Sequence, residues 1–413
     1  MESNSQQPPN WKTPFFAIWT GQAFSLLGSQ IVQFAIIWYL TEKTGSATVL
    51  ATTTLIALLP GVFLSPFIGP LVDRWNRRRI MILADSFIAL ATLVLAALFA
   101  LGLVDLWHIY AVLFIRSIGE NFHRPSMTAS TSLMVPKEHL TRIQGVNQTL
   151  NGGLNIIAAP LGALLMTLIP MSGIVAIDVI TALIAVVPLF FIVIPQPEKN
   201  PAESGSTTFW QDLRAGFKYV ITWPGLLSIL IMASMINFFL SPTTSLLPLL
   251  VKDHFNGGAL QLGWINSLFG VGVIVGGLLL GVWGGFKRRI VTAILGIIGI
   301  GLGTSIMGML PGSAFNLALG AFAFTGMMIP IANGSIGGIL QAAVDPKMQG
   351  RVFSLTGSVA TAMMPIGLAF AGPLSDAFGI QVWFILGGAL TVLMGLIGFA
   401  IPAVMKIEDR SES

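Results

Sequence analysis

Arg116, Glu120 and Arg124 recur at every fourth residue of the stretch FIRSIGENFHRPS, which sets three charges along one face of a helix. The stretch lies inside an apolar run, where ionisable groups are costly and face a cavity or one another. A carboxylate between two guanidiniums is favoured as the ion by those charges and as the neutral acid by desolvation. Two readings follow. Glu120 exchanges protons while Arg116 controls its charge, or the three groups form a permanent ion-pair ladder. Asp85 and Asp178 are further carboxylates within apolar runs, and either could instead pair with a loop cation. His123 adjoins Arg124, which disfavours the protonated ring, and is a weak proton carrier. Asp376 lies near a helix end. The deep ionisable groups all fall in the first half, so any proton binding belongs there.

Uncharged polar side chains within the apolar runs are candidates for contact with a cargo. Gln22, Ser25, Ser29 and Gln33 share one face of the first run, and Asn147 and Asn151 one face of the fifth. In the second half the candidates are Asn237 and Ser241, Asn266, and Asn333. The alternative for each is a hydrogen bond between packed helices.

Catalysis finds little support. His108, His123, His139 and His254 are scattered over separate segments, and there is no cysteine to supply a thiolate. The run GVGVIVGG, Gly270 to Gly277, has no following lysine and reads as close helix packing rather than a phosphate loop. No cofactor or metal site is indicated.

The elements that must position these residues are membrane helices. Of the 413 residues 54% are apolar and only 9% charged, too few charges to cover a soluble domain of that size. A bilayer core of about 30 Å needs roughly 20 apolar residues in helix. Such runs are predicted at 14–40, 46–71, 80–102, 107–133, 145–169, 172–194, 225–250, 261–282, 290–310, 314–340, 352–374 and 380–403. Of the 21 Lys and Arg, only Lys43 and Lys252 fall in loops on one side, and Arg116 and Arg124 within a span. All the others share the opposite side, so both termini are predicted to be cytoplasmic. The net charge of +4, spread in short clusters between spans, suits topology better than nucleic-acid binding.

The predicted organisation is a cytoplasmic tail (1–13), a six-helix bundle (14–195), a cytoplasmic linker (196–224), a second six-helix bundle (225–403) and a cytoplasmic tail (404–413). The linker opens with PQPEKNPAESGS. It continues as a helix with Phe209, Trp210, Leu213, Phe217 and Ile221 on one side and Asp212, Arg214 and Lys218 on the other, suited to the inner membrane surface. The halves repeat: Arg78, Arg79 and Ile80 match Arg288, Arg289 and Ile290, and Pro136 matches Pro346 at the same interval. A duplicated six-helix unit is the plan of an alternating-access transporter with its substrate site between the halves.

The loop after the second span reads Gly69-Pro70-Leu71-Val72-Asp73-Arg74-Trp75-Asn76-Arg77-Arg78-Arg79. It resembles the loop signature of the major facilitator superfamily, G-x-L-x-D-R-x-G-R-[RK]-x, at Gly69, Leu71, Asp73, Arg74, Arg77 and Arg78. Asn76 replaces the second glycine and tolerates the same left-handed turn. In physical terms Asp73 can cap a helix or pair with Arg77 and Arg78, while the arginines can hold helix ends of the opposite bundle or anionic head groups. The alternative is that they only fix topology. The second-half counterpart, Gly281 to Arg289, keeps the basic cluster without an aspartate, which predicts an asymmetric gate.

Within that superfamily the chain is similar to the macrolide-efflux type of drug:proton antiporter. The similarity rests on FIRSIGENFHRPS, on LMVPKEHLTRIQGVNQTLNGG, on DPKMQGRVFSL and on Asp178 in VAIDVITAL. It implies a multi-pass, monomeric protein of the bacterial cytoplasmic membrane that moves a small amphiphile and protons among membrane lipids. Ala159-Pro160-Leu161-Gly162-Ala163 departs from the G-P-x-x-G-G pattern of many antiporters. Siderophore exporters and lysolipid transporters share many of these features. From another class, a non-transporting sensor or assembly partner has little use for an intact gating loop.

Overall fold

A computed structural model describes residues 11–196 and 209–409. The described residues are almost wholly helical, without a strand. Twelve long helices follow one another: α1 (Lys12–Thr44), α2 (Ala47–Arg74), α3 (Arg77–Leu101), α4 (Leu106–Met134), α5 (Lys137–Leu168) and α6 (Met171–Phe191), then α8 (Pro224–Leu249), α9 (Ala259–Trp283), α10 (Arg289–Met309), α11 (Phe315–Ala343), α12 (Pro346–Phe378) and α13 (Ile380–Ala400). Between the sets lies α7 (Phe209–Thr222), and α14 (Pro402–Met405) closes the order. Eleven of the twelve are long and apolar enough to cross a bilayer by length and composition. The twelfth, α4, carries Arg116, Glu120 and Arg124 in its middle, and these charges lower its hydropathy.

Several helices outrun the predicted spans because polar turns extend them past the apolar stretch. α5 begins at Lys137, eight residues before its predicted span, and α8 continues through a π-turn at Leu250–His254. The repeated prolines mark corresponding starts: Pro136 precedes α5 and Pro346 is the first residue of α12. Proline suits such positions, since its missing N–H would have no helical partner there. α3 begins where the Asn76 side chain accepts from the Arg79 amide at 3.1 Å and ends at Gly102, whose φ of +69° is the left-handed closing turn.

By compactness the chain forms two units. The first holds Met1–Tyr39 and Ile56–Pro201, the second Leu40–Leu55 and Ala202–Ser413. In the first unit α3 turns Met81, Asp85, Ile88, Thr92 and Leu95 inward, and exposes Leu83, Phe87, Leu90, Val94 and Leu101. An apolar face left in the open on a helix of this length is a lipid face. In the second unit α9 and α11 approach through glycines. A Cβ added to Gly272 would lie 2.1 Å from the Ala323 carbonyl oxygen, and one on Gly276 2.0 Å from that of Met327. Small residues of this kind let helix backbones meet without a hydrophobic driving force. Val220 of α7 joins a core with Leu226, Ile294 and Val352, while Phe217 and Ile221 stay exposed. The side chains of Phe209, Trp210, Asp212 and Leu213, and the PEKNPAESGS stretch, lie outside the described residues.

Candidate functional site

Arg116 and Asp178 form a buried ion pair, 6% and 1% exposed, between α4 and α6. The Arg116 guanidinium also donates to Thr92 Oγ1 at 2.8 Å, and Thr92 in turn donates to Asp178 Oδ2 at 3.3 Å. Ser29 of α1 donates to the other oxygen, Oδ1, at 2.7 Å. Both carboxylate oxygens are therefore engaged. Removing two such ions from water costs several kcal/mol each, and mutual attraction offsets that only with hydrogen bonds of this completeness.

Close backbone approach makes the reach possible. A Cβ on Gly28 would lie 2.2 Å from Thr181 Oγ1, and one on Gly21 2.9 Å from the Ile184 carbonyl oxygen, so α1 lies tightly on α6. Gly119 does the same between α4 and α3, with Ile88 Cγ1 at 2.6 Å from the position a Cβ would take. Ser29 and Thr92, short side chains, are thereby brought to Asp178.

A second buried carboxylate, Asp85, accepts from Gln22 Nε2 at 3.1 Å and faces His123 Nε2 at 3.4 Å. Asp85 and Asp178 thus pair inside the bundle, not with loop cations. Arg124 and Glu120 are exposed, and neither Arg116 nor Arg124 lies within ion-pair distance of Glu120. The predicted face of three charges splits because a helix turns about 100° per residue. Four residues advance the direction by about 40°, and eight by about 80°, enough to carry Arg124 from the interior to the surface.

Arg77 and Arg78, after the loop that follows α2, bind helices of their own unit. Arg77 donates to the Ala129 carbonyl oxygen at 3.0 Å, and Arg78 to those of Leu189 and Phe190 at 2.5 Å each, at the end of α6. The last carbonyls of a helix lack intrahelical donors and carry partial negative charge, so a guanidinium suits them. The surroundings of Gly69 and the side chains of Asp73 and Arg74 lie outside the described residues.

The cargo candidates divide. Gln22 and Ser29 are committed to carboxylates, and Asn147 accepts from Trp19 Nε1 at 2.7 Å. Ser25 is half-buried and Gln33 and Asn151 exposed. Asn266 donates to the carbonyl oxygen of Leu262. Ser241 accepts at its carbonyl oxygen from Thr244 Oγ1. Asn237 and Asn333 are brought together on the wall of a cavity of about 90 Å³ in the second unit, otherwise lined by Ile236, Ile297 and other apolar residues. Thr92 was not anticipated. Its position seven residues after Asp85, two helical turns on the same face, is the signal that could have found it.

Over residues 5–413 the chain matches a family pattern described as transmembrane secretion effector. The chain belongs to this family of the major facilitator superfamily. The fold is shared at very low identity: a bacterial homologue of the iron transporter ferroportin matches with a TM-score of 0.70 at 17% identity, over 93% of this chain and 98% of that one. Among sequence relatives, macrolide efflux protein A of Streptococcus pyogenes is 37% identical over 97% of this chain and 98% of its own length. Multidrug efflux pump Tap of Mycolicibacterium fortuitum is 24% identical over 93% and 95%. As a member of the major facilitator superfamily the chain is a multi-pass transporter, and its buried charge pairs lie in the helices of that fold.

Proposed function

We propose that the chain exports a macrolide-type amphiphile across the bacterial cytoplasmic membrane in exchange for protons, by alternating access, as a monomer with both termini in the cytoplasm. The buried Arg116–Asp178 pair carries this reading. A charge pair deep in a spanning bundle is costly as mere scaffolding, and a carboxylate that accepts a proton there changes the charge of the bundle. Arg116 is permanently charged, so protonation of Asp178 leaves one net positive charge that the bundle holds only until its environment changes. Likeness to macrolide efflux protein A over nearly the whole length supports the cargo class. The linker helix α7 lies at the inner surface, and the loop from Gly69 to Arg78 acts in switching.

The test is macrolide accumulation in inverted membrane vesicles with and without an imposed proton gradient, comparing wild type with Asp178→Asn and Glu120→Gln. Gradient-driven uptake lost in Asp178→Asn and kept in Glu120→Gln supports coupling at the pair. The reverse result moves coupling to the exposed Glu120. No macrolide uptake by wild type removes the cargo assignment.

One observation favours a second reading, a lysolipid or another anionic single-chain amphiphile. A groove of about 730 Å³ between α1 and α5 is walled by Trp19, Leu150, Leu154 and Ile157, and its charged side chain is Arg142. Gly145 and Gly153 leave open space in it. Lysolipid uptake in the same vesicles, abolished by Gly153→Leu, would favour this cargo over a macrolide.

A further inference from the structure

The two buried carboxylate clusters are built on one repeat. Gln22 and Ser29 on α1, Asp85 and Thr92 on α3, and His123 and Arg116 on α4 are each seven residues apart. Seven residues are two helical turns, about 10.5 Å. The unit therefore carries two rungs: Gln22, Asp85 and His123 in one, and Ser29, Thr92, Arg116 and Asp178 in the other. Each rung has one carboxylate, one donor from α1 and one basic group from α4.

The basic groups differ in kind. The guanidinium of Arg116 does not give up its proton, whereas an imidazole takes up and releases one in the neutral range. We propose that His123 and Asp85 form a second proton-binding site, separate from Asp178, in which the imidazole of His123 carries the exchangeable proton. This rests on the proton-exchange reading above and adds a second carrier to it.

The surroundings fit that task. His123 Nε2 is buried without a hydrogen-bond partner, although Asp85 Oδ1 lies 3.4 Å away. Gln22 occupies Oδ2 at 3.1 Å, which leaves Oδ1 for the ring. Charge reaches the ring from Asp85 on α3 and from Glu120 on its own helix α4. Arg124, the adjoining residue, is exposed, so its closeness in sequence is not closeness to the ring's buried nitrogen. α1 offers the neutral Gln22, and α2, which meets α4 where Gly61 lies against Asn121, has no ionisable side chain before Asp73. In loading, a proton from water forms the Nε2–H bond and the imidazolium pairs with the Asp85 carboxylate. In unloading that N–H bond breaks, the proton returns to water on the other side and the ring is neutral again.

The experiment is ¹⁵N NMR of purified full-length protein labelled at histidine. The chain has four histidines, and His123→Gln identifies the signal. If that variant does not fold, substitution of His108, His139 and His254 assigns it by elimination. The expected result is a reversible His123 titration as pH is scanned, with a midpoint that moves in Asp85→Asn. A ring held in one protonation state throughout, or a midpoint indifferent to Asp85→Asn, overturns the proposal. Proton flux in proteoliposomes keeps the two readings apart. His123→Gln is expected to lose part of the protons moved per macrolide, and Asp178→Asn to lose gradient-driven uptake. Macrolide transport without any proton movement in wild type removes the exchange reading itself, and an unchanged ratio in His123→Gln removes only the second site.

Discussion

Asp376 accepts from the backbone amide of Ala47 at 2.7 Å, so a side chain near the end of α12 caps the first turn of α2. The Thr48 amide and the Ser46 hydroxyl, both at 3.0 Å, donate to the same carboxylate. Gly372 allows the approach, because a Cβ there would come within 2.8 Å of Thr48 Cα. Together with Lys252, which donates to the Thr41 carbonyl oxygen at 2.9 Å, this contact explains why Leu40–Leu55 belongs to the second unit.

Loss of this cap should be measurable. Asp376→Ala is expected to destabilise the protein by about 1 kcal/mol, the ordinary cost of removing a capping side chain. Asp376→Asn keeps the acceptor oxygen and should recover most of it. Thermal unfolding in detergent compares the two. Equal losses in both variants would assign the effect to charge at the helix N-terminus rather than to the hydrogen bonds.

Breaking the Arg116–Asp178 pair should cost more. Asp178→Asn leaves a buried guanidinium without its counter-ion, and about 3 kcal/mol is expected. Joining it to Arg116→Gln removes both charges, so the double variant should be more stable than the sum of the single losses predicts. A double-mutant cycle read by denaturation in mixed micelles checks this, and additive losses would mean that the two ions do not interact.

Neighbouring glycines on α9 separate packing from helix propensity. Gly276→Ala must displace the α11 backbone at Met327, and a loss of about 1 to 3 kcal/mol follows from overpacking. Nothing lies within 4 Å of the Cβ position at Gly277. Gly277→Ala should therefore be neutral, or stabilising by up to about 1 kcal/mol through helix propensity. Unfolding midpoints of the two variants decide it.

Arg78→Lys keeps the charge but not the two-pronged geometry that meets the Leu189 and Phe190 carbonyl oxygens. With about 1.5 kcal/mol of charge-assisted bonding lost, hydrogen exchange in the last turn of α6 should quicken by about tenfold. Exchange read peptide by peptide would show it there and not at the start of α6.

The helices were legible because hydropathy and length report burial in lipid directly, and the resemblance of the Gly69–Arg78 loop gave the superfamily. The partners within the bundle were not. Spacing within α4 offered Glu120 as the neighbour of Arg116, whereas the true counter-ion stands on α6, brought close by Gly21, Gly28 and Gly119. Local periodicity ranks groups on one helix, and which of them turns inward depends on what packs opposite. For the same reason His123 reads in sequence as a weak proton carrier beside Arg124, whereas Arg124 is exposed and Asp85 faces the ring. Asp376 could be placed near a helix end, but nothing in the sequence tied it to an amide so far away in the chain.

Among the described residues the buried charged side chains are Arg77, Asp85, Arg116 and Asp178, every one of them in the first unit. The two-rung arrangement is thus carried whole by a contiguous stretch of coding sequence, from Gln22 to Asp178. Recombination that exchanged the second half of such a gene for that of a cousin would leave every rung intact. New cavities such as the one walled by Asn237 and Asn333 could then be tried out by inheritance without rebuilding the part that holds charge.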